Sequence, residues 1–180
     1  MQVGKRWASN SARTRARLGE PTRVSYGPTE IERLDIFRTS RERAPVFVFI
    51  HGGAWARGKA ADYHAPAEMF VRAGAHYVTP DFAWVQDVGG SLFPMVDQVR
   101  RAIAWVYENA ASFGADRNRI YVGGQSSGAH LTAVALAIDW NKYGFPAAPI
   151  QGGLCASGMY ELAPVRLTAR ARIRFPPSPT

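Results

Sequence analysis

Pro45–Ile50 (PVFVFI) is an unbroken apolar run, and it constrains the fold more than any other segment. A strand with one wet face alternates apolar and polar residues. A run without alternation belongs to a strand covered on both faces, as at the centre of a parallel sheet. Parallel neighbours need crossover connections, usually helical. The following residues supply them. Asp62 to Ala73 reads as a helix stopped by Gly74, and His76–Pro80 as the next strand. Between Leu92 and Phe113, the positions Leu92, Val96, Val99, Ile103, Val106, Ala110 and Phe113 form one helical stripe. Arg119–Gly123 reads as a strand, and Ser127 to about Trp140 as an apolar helix closed by a Gly144-Phe145-Pro146 turn. Ile150–Cys155 reads as a further strand. This alternation predicts an α/β fold: a doubly wound, mostly parallel sheet in three α/β/α layers with right-handed crossovers.

The ends differ from this core. Residues 1–43 are expected to hold a helix from Trp7 to Leu18, on the surface or partly over a site. Two strands follow it, Thr22–Tyr26 and Leu34–Arg38, the second with Leu34 and Ile36 alternating against Asp35. Residues 44–164 form the core and 165–180 an irregular Arg/Pro tail, all within one domain. The formal charge of +8 divides into +5 for residues 1–43, −1 for 44–164 and +4 for 165–180. A nucleic-acid face would interleave basic residues with the folded core, so this distribution argues against one. Arg outnumbers Lys 19 to 3, which reads as coding bias. A lone cysteine, Cys155, excludes an intrachain disulfide and suits a reducing, cytoplasmic compartment. No apolar stretch follows Lys5 and Arg6 as a secretory signal would require, and no 18-residue apolar run is present to span a membrane.

Two motifs carry chemistry. Gly124-Gln125-Ser126-Ser127-Gly128 fits G-x-S-x-G between a predicted strand and a predicted helix. In that context Ser126 sits on a tight, strained turn that lifts its hydroxyl above the sheet. Gly124 and Gly128 remove side chains that would clash, and the Ser127 N–H opens the helix toward an oxyanion. His51-Gly52-Gly53-Ala54-Trp55 directly follows the central strand, where the second half of an oxyanion hole belongs. Its donors would be the N–H groups of Gly53 and Ala54, or of Gly52 and Gly53. The His51 ring would brace this turn by hydrogen bonding, and Trp55 and Trp84 could line an acyl or aromatic pocket. Trp105, between stripe positions, and Cys155, on an apolar strand, read as core. The sequence has no metal-ligand spacing, P-loop or dinucleotide fingerprint.

Together the motifs resemble the α/β-hydrolase superfamily. HGGAW, GQSSGAHL and PDFAWV…QVRRAIAWVYENAASFGADRNRIYVGG are similar to the branch holding kynurenine formamidase and the hormone-sensitive-lipase-type carboxylesterases, over roughly residues 22–166. The resemblance implies Ser126 as nucleophile, and the amides of Gly52, Gly53 and Ser127 as oxyanion donors. It implies a small-molecule ester or aryl formamide substrate and no metal or organic cofactor. Gln125 stands where His is common and Ser127 where Ala is common.

The main departure is an absence. In this superfamily the triad acid and then the histidine follow the nucleophile. Here no histidine follows His130, and Glu161 is the only acid after Asp139. His130, one helical turn beyond Ser126, reads as a core residue, as do His64 and His76, and the triad acid and base stay unassigned. The sheet is therefore expected to be truncated at its C-terminal edge. The competing expectations are a weak serine hydrolase, a truncated or frameshifted and catalytically incomplete chain, and a non-catalytic binding protein with basic ends. An unfinished sheet edge also predicts self-association.

Overall fold

The structure is a computed structural model and describes residues 3–145 and 147–166. From residue 167 on, the Arg/Pro tail lies outside the described residues, as does Pro146 of the predicted turn. The chain runs α1 (Val3–Leu18), β1 (Thr22–Ser25), β2 (Arg33–Phe37), β3 (Ala44–Ile50), α2 (Ala67–Arg72), β4 (His76–Pro80), α3 (Phe93–Asn109), β5 (Ala115–Gln125), α4 (Ser127–Ala137), β6 (Gly152–Ala156) and a short α5 (Ala163–Arg166). The six strands form one sheet in the order β1-β2-β4-β3-β5-β6. β4, β3, β5 and β6 are parallel, and β1 and β2 join antiparallel at one side.

The apolar run around Pro45–Ile50 is the central strand, and its two faces enter different clusters. Val46, Val48 and Ile50 are fully buried with Met95, Val99 and Ile103 of α3 and Leu131 of α4. Phe47 and Phe49 turn the other way. Phe47 stacks on Phe70 of α2 at 4.3 Å between ring centroids, and Phe49 lies 6.5 Å from Trp7 of α1. Burying each such side chain stabilises the fold by about 1.5–3 kcal/mol, which is why this strand cannot move to an edge.

Two helices are shorter than the periodicity predicts. The Asp62–Ala73 stretch divides into a 3-10 helix at Ala60–Tyr63 and α2 from Ala67. Pro66 lacks an N–H and disfavours helical geometry at Ala65, so the two pieces do not join. The Leu92–Phe113 stripe ends its α-helical part at Asn109, whose side-chain amide donates to the Trp105 carbonyl at 2.9 Å. The last turn, Ala110–Phe113, tightens to 3-10 before Gly114. α1 covers the Phe49 face of the sheet, with Trp7 against Tyr63 at 5.2 Å.

Candidate active site

β5 ends at Gln125 and α4 begins at Ser127, so the chain turns from strand to helix within Ser126 alone. Ser126 adopts φ 57° and ψ −123°, a conformation that costs on the order of 1–3 kcal/mol and persists only where the surroundings enforce it. They do so here. The Ser126 N–H donates to the Ala156 carbonyl of β6 at 2.9 Å, and its carbonyl accepts the Ala129 N–H at 3.0 Å. The start of α4 lies directly on the end of β3. A Cβ on Gly128 would stand 2.1 Å from the Ile50 carbonyl oxygen, and one on Gly124 would stand 2.4 Å from the Gly128 carbonyl oxygen. Neither position has room for a side chain. Ser127 is buried, and its amide is among the first of α4, where helical geometry leaves donors without a partner in the helix.

The loop after β3 comes to the same place. A Cβ on Gly52 would lie 2.7 Å from the Gln125 carbonyl oxygen and 3.4 Å from Ser126 Cβ. Three consecutive residues then take positive φ: Gly53 (126°), Ala54 (55°) and Trp55 (58°). Two of them are not glycine, and nothing in the sequence signalled that. His51 is buried. Its Nδ1 lies 2.9 Å from the Gly52 carbonyl oxygen, and its ring is stacked at 4.3 Å on Phe82 and at 5.4 Å on Tyr63. Burial pushes its pKa down and so favours a neutral ring, an effect partly opposed by the hydrogen bond with the Gly52 carbonyl. Trp55 is packed inside the core rather than lining an open pocket, with its ring edge-on to His130.

The remaining histidines are engaged elsewhere. His64 Nε2 pairs with Asp35 Oδ2 at 2.9 Å, and His76 Nδ1 accepts the Thr39 N–H at 3.2 Å. His130 is buried one turn into α4, and burial lowers its pKa. The His130 main-chain N–H donates to the Ser126 carbonyl at 3.3 Å, but among the described residues no histidine side chain hydrogen-bonds to Ser126.

The sequence reading missed a buried polar network. Asp35 alternates with Leu34 and Ile36, yet all three are buried, because α1 and the 3-10 helix cover the second face of β2. Arg23 bridges Asp35 (2.7 Å) and Asp81 (2.5 Å). Arg15 from α1 reaches His64 Nδ1 at 3.1 Å. Burial opposes the charge on Asp35, but hydrogen bonds from His64 and Arg23 outweigh it and hold this carboxyl below its ordinary range. The signal was present as acids and bases scattered over residues 15–81, with no motif spacing to connect them.

Among the described residues, no group of three His, Cys, Asp or Glu side chains could hold a metal, and no helix is long and apolar enough to cross a membrane. An apolar groove of about 370 Å³ is lined by Val46, Phe47, Phe70, Tyr121, Gly152 and Leu154. It lies toward the starts of the parallel strands, whereas Ser126 lies at their carboxyl ends, where open α/β sheets place their ligands.

The BD-FAE family model matches residues 34–145, a span containing both motifs. The kynurenine formamidase of Danio rerio is 31% identical over 147 residues, covering 81% of this chain and 48% of that protein. Esterase LipC of Mycobacterium tuberculosis is 36% identical over 123 residues, covering 63% of this chain and 28% of that protein. A crystal structure of a candidate thioesterase from Silicibacter sp. tm1040 superposes with a TM-score of 0.75 at 25% identity, over 92% of this chain and 60% of that one. An esterase from Thermogutta terrifontis gives 0.59 at 25% identity, over 66% of this chain and 44% of that one. The chain thus spans about half the length, or less, of the curated relatives it matches. With its sheet, its strand–serine–helix turn and its Gly-Gly loop all inside or beside the matched span, the chain belongs to the BD-FAE family and to the formamidase and esterase branch of the α/β-hydrolases.

Proposed function

We propose that the chain is a serine hydrolase acting on a small carboxylic ester or aryl formamide. Ser126 Oγ bonds to the carbonyl carbon, and the carbonyl π pair moves onto oxygen. Collapse of this adduct expels the alcohol or arylamine, which takes up a proton as the Ser126 hydroxyl gives one to solvent. The acyl group is left on Ser126. Water then attacks the acyl carbon, releasing the acid and restoring the hydroxyl. The amides of Gly52, Gly53 and Ser127 donate to the transient oxyanion. Gly124 and Gly128 permit the turn, and His51 and Trp55 support the loop. No metal or organic cofactor enters this reading. A lone cysteine fits a cytoplasmic setting, and the near-neutral core fits a small-molecule substrate rather than a nucleic acid.

One observation carries the reading: Ser126 is held at positive φ between strand and helix, with the Gly52 backbone against it. The relatives named as esterases and as a formamidase support it. Among the described residues no histidine side chain hydrogen-bonds to Ser126, so its hydroxyl has no general base there, and turnover by this chain is expected to be slow. Binding and an oxyanion hole alone leave roughly 10³–10⁴-fold acceleration over water. Hydrolysis of p-nitrophenyl acetate and butyrate, with Ser126→Ala as control, tests it. Slow release of p-nitrophenol that disappears in the alanine variant is expected, and release that survives the substitution removes Ser126 from its role.

The same missing histidine favours a second reading, a catalytically incomplete chain of the same fold. Labelling of Ser126 by a fluorophosphonate without any ester turnover would select it.

A further inference from the structure

The segment that follows β4 grips the Gly-Gly loop along its length. Phe82 stacks flat on His51, with 9° between the rings. The Val85 N–H donates to the Trp55 carbonyl at 2.7 Å, and Gln86 Nε2 donates to the Ala56 carbonyl at 3.0 Å. The Trp84 indole N–H donates to the Gly58 carbonyl at 2.9 Å. At the far end, Asp81 Oδ1 accepts the Ala60 N–H at 2.7 Å, and Asp81 is itself held by Arg23 and by the Tyr26 hydroxyl on its carbonyl. Residues 81–86 thus fix carbonyls at 55, 56 and 58 and the amide at 60.

The loop they hold is strained and folded on itself. Gly53, Ala54, Trp55 and Gly58 all have positive φ. A Cβ on Gly58 would stand 2.7 Å from the Gly52 carbonyl oxygen, and one on Gly53 would stand 2.0 Å from the Arg57 carbonyl oxygen. Whatever fixes Gly58 therefore fixes Gly52, whose backbone faces Ser126. A run of left-handed residues including an alanine and a tryptophan does not hold its shape unaided.

The geometry points to Trp84 as a positioning residue, with Gln86 as its weaker companion. By holding the Gly58 carbonyl, the Trp84 indole N–H keeps the Gly52 and Gly53 amides aimed over Ser126. The inference rests on the reading of Ser126 as nucleophile, and its test separates the two. Trp84→Phe keeps a six-membered aromatic ring and removes the N–H donor together with the five-membered ring that carries it. Gln86→Ala truncates an exposed side chain and leaves the core intact.

Two measurements on the full chain decide the matter: hydrogen exchange resolved by segment, and the rate of Ser126 phosphonylation by a fluorophosphonate as a function of probe concentration. In Trp84→Phe, exchange over residues 53–58 rises while β3 and β5 keep their protection. The maximal phosphonylation rate falls about tenfold at an unchanged half-saturating concentration, since a misaimed oxyanion hole affects the transition state more than binding. Gln86→Ala shifts both in the same direction by less, and carries both measurements if Trp84→Phe does not fold. Faster exchange spread over the whole sheet would mark a general loss of stability and overturn the positioning role, as would wild-type exchange and labelling in both variants. If the wild type is not labelled, or labelling survives Ser126→Ala, the nucleophile reading fails. Exchange at 53–58 then decides alone: faster exchange there supports the clamp, and unchanged exchange overturns it.

Discussion

The imidazole of His130 stands edge-on to the indole of Trp55, with centroids 5.6 Å apart and planes at 83°. Trp55 closes the HGGAW segment and His130 lies in GQSSGAH, so this contact joins the two motifs through side chains beneath the turn. A ring pair in this geometry contributes about 0.5–1.5 kcal/mol beyond burial. A double-mutant cycle of Trp55→Leu and His130→Leu, read by urea unfolding at neutral pH, should show a coupling of that size. A coupling near zero would mean the two segments pack independently.

Gly128→Ala should destabilise the chain by about 3 kcal/mol or more, beyond the usual 1–3 kcal/mol of an overpacked site. The added methyl would meet main-chain oxygens of Ile50 and His51 at 2.1 and 2.5 Å, and main chain cannot rotate away as a side chain can. Thermal unfolding should shift down by roughly 6–12 °C. A variant that melts with the wild type would show that α4 does not sit on the end of β3 as described.

Stability should fall as pH drops from 7 toward 5. His51, His76 and His130 are buried, and burial lowers the pKa of each below the ordinary value of 6.5. The unfolded chain then binds protons that the folded chain refuses. Their contribution is present above about 6.5 and is lost as pH falls below it. The urea midpoint measured from pH 8 to 5 should decline through that window, and His130→Leu should flatten part of the decline. A midpoint constant over this range would contradict burial of neutral rings.

Asp35→Ala should cost about 3 kcal/mol. This is the low end for breaking a buried pair, because Arg23 is 40% exposed and stays partly solvated while His64 does not. The pairing holds the Asp35 carboxyl below its ordinary 3.8. Its contribution is therefore full above that value and lost as pH falls through the lowered one. Wild type and variant should draw together in stability as pH falls below 3.8, as followed by denaturant titration. A gap that persists there would assign the loss to packing instead.

Much of this was legible because it repeats along the chain. The apolar run at Pro45–Ile50 marked the central strand, and the 4-3 stripe from Leu92 marked α3. G-x-S-x-G between strand and helix marked the turn at Ser126. What escaped the sequence depends on partners distant along it. Asp35 alternates with Leu34 and Ile36 as an outward residue would, and only the packing of α1 and the 3-10 helix over β2 buries it. The grip of Asp81–Gln86 on the loop uses main-chain carbonyls, which have no sequence signature. Left-handed geometry at Ala54 and Trp55 runs against residue preference, so composition does not signal it.

Among the described residues no strand pairs with the outer edge of β6, and Leu154 on that strand is 63% exposed. Residues 143–160 carry no charge, in a chain with 36 Lys, Arg, Asp and Glu. Edge strands are ordinarily protected by charged side chains, prolines or bulges; β6 has none of these. A two-fold pairing of β6 with β6 of a second copy would satisfy both edges and set uncharged surface against uncharged surface, avoiding the repulsion that a basic chain meets elsewhere. Sedimentation velocity at increasing concentration should show the wild type associating. Leu154→Lys, which puts a cation at the centre of that edge, should remain a monomer over the same range. Association that is equally strong in Leu154→Lys would move the contact away from β6, and a wild type that stays monomeric throughout would show that the edge is closed to a second copy.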